Sequence, residues 1–121
     1  MLNVGIVGLG TIGKVVAKAL DDGMNGLQLS SIASGRREKA EAFLATLNTP
    51  IKIMSIGEVA ESCEIVVDCA PKLVFAEIAN ATISRGKILV TVSGAGILAN
   101  PDIEKQAAEK KARVILATGA L

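Results

Sequence analysis

Three glycines, Gly8, Gly10 and Gly13, stand in the spacing Gly-x-Gly-x-x-Gly. The apolar run Leu2 to Val7 leads into them, and a helix-patterned stretch follows from Thr11. This arrangement suits a pyrophosphate. Gly8 would turn the chain tightly off a strand. Gly10 would let the backbone approach the phosphates with no Cβ between. Gly13 would let the helix pack close to the strand. The free N–H groups at the helix start and the positive end of its dipole would then face the anion. The competing reading is a glycine-rich strand-to-helix turn that binds nothing.

The next informative stretch is Ser34-Gly35-Arg36-Arg37, beginning 21 residues after Gly13. At this distance a domain selective for NAD usually carries an acid that holds the ribose 2′-hydroxyl. Ser34 stands there instead, so nothing repels a 2′-phosphate. Arg36 or Arg37 would clamp it, or stack on adenine. The residues therefore favour NADP over NAD. Alternatively, both arginines are solvated charges opening a helix, although two cations at a helix start run against its dipole.

Other turns fall where strands end. Ala70-Pro71 would form a wall near the cofactor, or simply end a strand and start a helix. Ser93-Gly94-Ala95 would touch a nicotinamide ribose, or be an ordinary small-residue turn. Asp68 reads as a buried, hydrogen-bonded acid, and Lys14 and Lys72 as solvent-facing helix residues. Cys63 and Cys69 fit neither a CxxC pair nor a zinc site and are expected to be reduced thiols of a cytoplasmic protein. The chain has no histidine. It thus lacks the commonest general base and metal ligand, and no catalytic residue or metal site is expected within it. A net charge of +1 leaves no footprint for nucleic acid. No apolar stretch is long enough to span a membrane, and no signal peptide is apparent.

The elements that must hold these residues alternate regularly. Strands are expected at Leu2 to Val7, Leu27 to Ala33, Ile51 to Met54, Glu64 to Cys69, Ile88 to Val92 and Arg113 to Thr118. Helices are expected at Thr11 to about Leu20, Glu38 to Leu47, Lys72 to Arg85 and from Asn100 to about Ala112. Asn100 would cap that last helix, with Pro101 in its first turn. Ser55 to Ser62 would be a short helix or turn, since Ser55 and Glu58 resemble a capping box. Half the residues are hydrophobic, mostly small or branched aliphatics, and only Phe43 and Phe75 are aromatic. That composition suits buried parallel strands. The expected fold class is α/β: a Rossmann doubly wound parallel six-stranded sheet, order 3-2-1-4-5-6, in one dinucleotide-binding domain over residues 1–121. A catalytic or dimerisation domain is expected after 121. The apolar surface that its absence leaves around the sixth strand would favour homo-oligomers.

Val4 to Gly13, Val66 to Ala70, Val92 to Ala95 and Ala117 to Leu121 together resemble the amino-terminal domain of the L-aspartate dehydrogenase family. The homoserine dehydrogenase NAD-binding domain is the nearest competitor, and a stand-alone nucleotide-sensing Rossmann module is an alternative of another class. The resemblance implies interconversion of L-aspartate and iminoaspartate, or oxaloacetate and ammonia, with hydride moving to or from NAD(P), and a link to NAD biosynthesis. It implies that Thr11 and Ile12 contact the pyrophosphate, and Ser34 and Arg36 the adenosine ribose end. Ala70, Pro71, Thr91, Val92 and Ser93 would line the cofactor, with Ala120 near the nicotinamide. The family's catalytic histidine lies in a second domain, so this chain alone is expected to be inactive.

Overall fold

The computed structural model describes residues 1–117. The strands are β1 (Leu2–Val7), β2 (Leu27–Ala33), β3 (Lys52–Ile53), β4 (Ile65–Asp68), β5 (Ile88–Thr91) and β6 (Arg113–Leu116). The helices are α1 (Thr11–Asp22), α2 (Arg37–Leu44), α3 (Ile56–Ser62), α4 (Phe75–Ile83), α5 (Gly94–Ala99) and α6 (Ile103–Lys110). The six strands form one sheet in the order β3-β2-β1-β4-β5-β6, and every pairing is parallel. This is the doubly wound Rossmann topology. The expectations for the sixth strand at Thr118 and for Ala120 lie outside the described residues.

Period-two alternation divides the core between the two faces of the sheet. Val4 and Ile6 of β1 and Leu29 and Ile32 of β2 pack with Ala17 and Leu20 of α1, and Phe43 and Leu44 of α2 join them. Val7, Ala33, Val66 and Leu89 face the other way, onto Val59, Phe75, Ile78, Ile103 and Ala107 of α3, α4 and α6. The register slips between Val4 and Gly5, where Ser30 is an extra residue on β2. Gly5 therefore pairs with Ser31, and both lie beneath α3. A Cβ on Gly5 would drive into Val59 and come within 2.9 Å of the Cys63 sulfur.

Several elements depart from expectation, each for a local reason. Ser93-Gly94-Ala95-Gly96 is not a plain turn but the start of α5. Ser93 Oγ accepts the Gly96 N–H at 2.9 Å, and Gly96 packs under the Phe75 ring with no room for a Cβ. Asn100 does not cap α6. Its side-chain amide donates to the Gly96 carbonyl at 2.8 Å and closes α5, while α6 begins at Ile103. Lys72–Val74 forms a separate 3-10 turn before α4. Leu73, Ala76, Ala79 and Ile83 recur at near-helical spacing, but the buried face of α4 is Phe75, Ile78, Ala79, Thr82 and Ile83, and Leu73 is 96% exposed. The spacing of Val15, Val16, Ala19 and Leu20 predicts that they share one face of α1, but the inward stripe is Gly13, Ala17 and Leu20, and Val15 faces out. The capping box of α3 is present: Ser55 Oγ accepts from Glu58 N–H and the Glu58 carboxylate accepts from Ser55 N–H.

A Gly5→Ala variant should be about 1–3 kcal/mol less stable, because overpacking forces β1 away from α3. Urea denaturation followed by circular dichroism measures this, and an unchanged midpoint would contradict the close packing described.

Candidate cofactor site

The glycine turn between β1 and α1 is built by steric exclusion. Gly8 has φ +97°, a conformation side chains rarely adopt. A Cβ there would also lie 2.7 Å from the Cys69 carbonyl oxygen and 2.8 Å from the Ala70 Cα. The Gly8 N–H donates to the Ala33 carbonyl at 2.8 Å, and the Cys69 N–H donates to Val7 at 2.8 Å. The turn is thereby tied to the ends of β2 and β4. A Cβ on Gly13 would strike the Gly8 carbonyl oxygen, so α1 packs directly on the turn. Gly10 is different: nothing lies within 4 Å of where its Cβ would be. It stands at the N-cap of α1, and neither a side-chain cap nor an acid occupies that first turn. Unpartnered N–H groups at a positive helix end, beside open space, form an anion cradle.

A cleft of about 1220 Å³ opens beside this cradle. Gly8, Leu9, Gly10, Thr11 and Lys14 line it from the first turn, and Ser34, Gly35, Arg36 and Lys39 from the β2–α2 connection. Ser55 and Ile56 contribute from the start of α3, and Cys69, Ala70, Pro71, Val74 and Glu77 from the region after β4. Of the residues singled out in the sequence, Gly8, Gly10, Thr11, Ser34, Gly35, Arg36, Ala70 and Pro71 thus meet around one cleft. Gly13 is buried behind the turn and Ile12 is half-buried beside it. Neither lines the cleft. Arg37 also lies off it: its guanidinium meets Glu41 at 2.9 Å, an exposed pair one helical turn apart. Thr91, Val92 and Ser93 sit at the end of β5, outside the cleft lining. Lys14 and Lys39 are the other cationic members of the lining, and only Lys39 is not among those singled out in the sequence. Lys14 is exposed, as expected, and its ammonium stands 5.9 Å from the Phe43 ring centroid. Lys39 follows Arg36 by three residues, the spacing that places both on one helix face.

Beyond the glycine turn, the ends of β4 and β5 are joined by a polar chain. Thr91 Oγ1 donates to the Asp68 carboxylate at 2.7 Å, and the Ala70 N–H donates to its other oxygen at 3.1 Å. Ser93 N–H donates to Thr91 Oγ1 at 2.9 Å. Asp68 and Thr91 are cross-strand partners and both are buried. Burial pushes the Asp68 carboxyl above its usual value, against the lowering effect of its two hydrogen bonds. Burial also pushes the neighbouring Cys69 thiol up to about 11, with the Asp68 charge adding to the shift. Cys69 is therefore a thiol near neutral pH and not an activated nucleophile. Among the described residues, no cluster of His, Cys, Asp and Glu side chains could hold a metal ion.

The family model for the homoserine dehydrogenase NAD-binding domain matches residues 8–117. The chain belongs to this family. As an NAD-binding domain it is also similar to longer relatives. It is 42% identical over 120 residues to an L-aspartate dehydrogenase of Bradyrhizobium diazoefficiens, covering 99% of this chain and 42% of that protein. It is 30% identical over 121 residues to L-aspartate dehydrogenase 3 of Bordetella bronchiseptica, covering 99% of this chain and 44% of that one. In fold it resembles a probable dehydrogenase from Thermotoga maritima, with TM-score 0.81 at 17% identity over 96% of this chain and 36% of that chain. The chain thus spans less than half the length of these relatives. It is an NAD-binding domain, and its resemblance to L-aspartate dehydrogenases runs along nearly all of it. Among the described residues no helix is long and apolar enough to cross a membrane.

The raised Asp68 carboxyl gives this NAD-binding domain a defined pH response. The folded form holds that proton more tightly than the unfolded chain, whose carboxyl titrates near ~3.9. The group's contribution to stability is therefore full below the unfolded value and is lost as pH rises through the folded value. An Asp68→Asn variant should lose that part of the decline. Asp21 and Glu58, whose carboxyls are lowered, act with the opposite sign in both proteins and cancel in the difference. Denaturation midpoints measured from pH 3 upward should diverge between the two proteins, with the wild type losing ground as pH rises. Parallel curves would contradict the burial argument.

Proposed function

We propose that this chain is the cofactor domain of an L-aspartate-dehydrogenase-type oxidoreductase that favours NADP. The observation that carries the reading is the 42% identity over 120 residues to a relative of that name, joined to an open phosphate cradle at Gly10. When bound, the dinucleotide supplies a hydride acceptor or donor at its nicotinamide. Oxidation of L-aspartate would move a hydride from Cα to the cofactor and release a proton from the amine, giving iminoaspartate. Thr11 and Ile12 would hold the pyrophosphate through the start of α1. Ser34, Gly35 and Arg36 would hold the adenosine ribose end, and Ala70 and Pro71 would wall the cleft. Thr91, Val92 and Ser93 would border the nicotinamide half, with Ala120, outside the described residues, beyond them.

The catalytic groups would come from a further domain, since the relatives are more than twice as long as the matched region. The sheet supports this reading. Ile6, Val67, Val90 and Ile115 are register partners in one row across β1, β4, β5 and β6. Exposure rises along the row from 0% at Ile6 to 40% at Ile115. Helices α1 and α2 cover only its β1 side. The open half offers an apolar surface for another domain or a second copy of the chain. A cytoplasmic setting fits the two unpaired cysteines.

Calorimetric titration of the chain with NADP and NAD tests the proposal. NADP should bind more tightly. An Arg36→Ala variant should lose about tenfold or more of that affinity, the scale of one charge-assisted contact. An Arg37→Ala variant, which removes only a solvated pair with Glu41, should change it less than twofold. Binding of neither dinucleotide would overturn the reading.

A further inference from the structure

We propose that Asp68 is a positioning residue for the bound dinucleotide: its buried carboxylate holds the Ala70 N–H on one oxygen and the Thr91 hydroxyl on the other, so that the exits of β4 and β5 meet the ligand as one surface. The inference rests on the dinucleotide reading above and deepens it. Asp68 ends β4 between two register partners, Val7 at the end of β1 and Thr91 at the end of β5. Asp68 and Thr91 are both buried, and neither lines the cleft. Asp68 therefore acts on a ligand only through the residues that it holds.

Two contacts give the carboxylate this role. The Ala70 N–H donates to Asp68 Oδ1 at 3.1 Å, and among the described residues no backbone carbonyl takes that N–H instead. Ala70 in turn lies against the glycine turn, since a Cβ on Gly8 would come within 2.8 Å of its N and Cα. The bond thus fixes how the Cys69–Ala70–Pro71 wall of the cleft sits on the cradle. On the other side, Thr91 Oγ1 donates to Asp68 Oδ2 at 2.7 Å and accepts the Ser93 N–H at 2.9 Å. Ser93 Oγ then accepts the Gly96 N–H at the start of α5. One side chain sets the relative place of both loops. A buried carboxylate costs more to desolvate than an apolar side chain at the same place. Packing alone gives no reason for it, whereas accepting from two loops at once is work that no apolar side chain does.

In the reading above these exits border the half of the ligand beyond the pyrophosphate, which NAD and NADP share and ADP lacks. Titration calorimetry with the three ligands tests the assignment. Asp68→Ala should weaken NAD and NADP alike, by about tenfold, and change ADP by less than about twofold. Asp68→Asn should stay within about threefold of wild type, because its carbonyl can accept from Ala70 and its amide can donate to the second lone pair of Thr91 Oγ1. Thr91→Val keeps the Ala70 bond and cuts the link to β5. It should lose part of the same affinity, and adding it to Asp68→Ala should cost little more. Thr82→Val is the control. Thr82 is also buried, but its hydroxyl donates to the Ile78 carbonyl within its own helix. Its loss should lower the melting temperature without separating NAD from ADP. Losses shared equally by NAD and ADP in Asp68→Ala would overturn the assignment, since the variant would then have damaged the whole site. So would a loss in Asp68→Asn as large as that in Asp68→Ala. Where wild type binds NAD, a loss under about twofold in Asp68→Ala would overturn the positioning role and leave the dinucleotide reading standing. If Asp68→Ala does not fold, unchanged NAD affinity in Thr91→Val has the same force. Binding of neither dinucleotide by wild type would overturn both.

Discussion

The arrangement depends on the absence of two Cβ atoms. At Gly8 the turn off β1 runs against the Cys69–Ala70 backbone, and at Gly13 the first turn of α1 rests on the Gly8 carbonyl. A side chain at either point would separate three elements at once: β1, α1 and the exit of β4. The ends of those elements define the walls of the cleft. Backbone contact of this kind is rigid because it leaves no rotamer to adjust. The same closeness presents the first N–H groups of α1 to open space beside Gly10 instead of to protein. Packing and anion binding are thus two results of one steric fact.

Much of this was legible in the sequence because glycine spacing and strand patterning report backbone geometry directly. Strand order, the β1–α1 turn and the capping box at Ser55 all follow from such signals. The faces of helices were harder to read. Small residues are the ones that fit closest to the sheet, so Gly13 and Ala17 point inward on α1 while the more hydrophobic Val15 points out. Helix α5 was missed because Gly94 and Gly96 read as turn formers. Only the Phe75 ring, far away in sequence, explains why Gly96 belongs inside a helix. In the site, Ser34 and Arg36 stood out because they replace an acid where one is common. Lys14 and Lys39 did not, since lysines on helices ordinarily face water. That both line one cleft is tertiary, set by how α1 and α2 lie on the sheet.

The two halves of the site differ in character. The α1–α2 half is cationic and open. The β4–β5 half is nearly dry and closed by hydrogen bonds from Asp68 through Thr91 and Ser93 to Gly96 and Asn100. That chain joins two strand ends and a helix without leaving any buried side-chain polar atom unpartnered among the described residues. It gives the ends of β4 and β5 a fixed shape.

The row from Ile6 to Ile115 carries a further consequence, for motion. Central strands are held by neighbours on both edges and helices on both faces, whereas β6 has one neighbour and one covered face. Opening free energy should therefore fall stepwise from β1 outward. The glycine turn springs from the stiffest strand of the sheet, and the compliant rim lies toward β6. Such a molecule behaves as a stiff grip with a yielding edge.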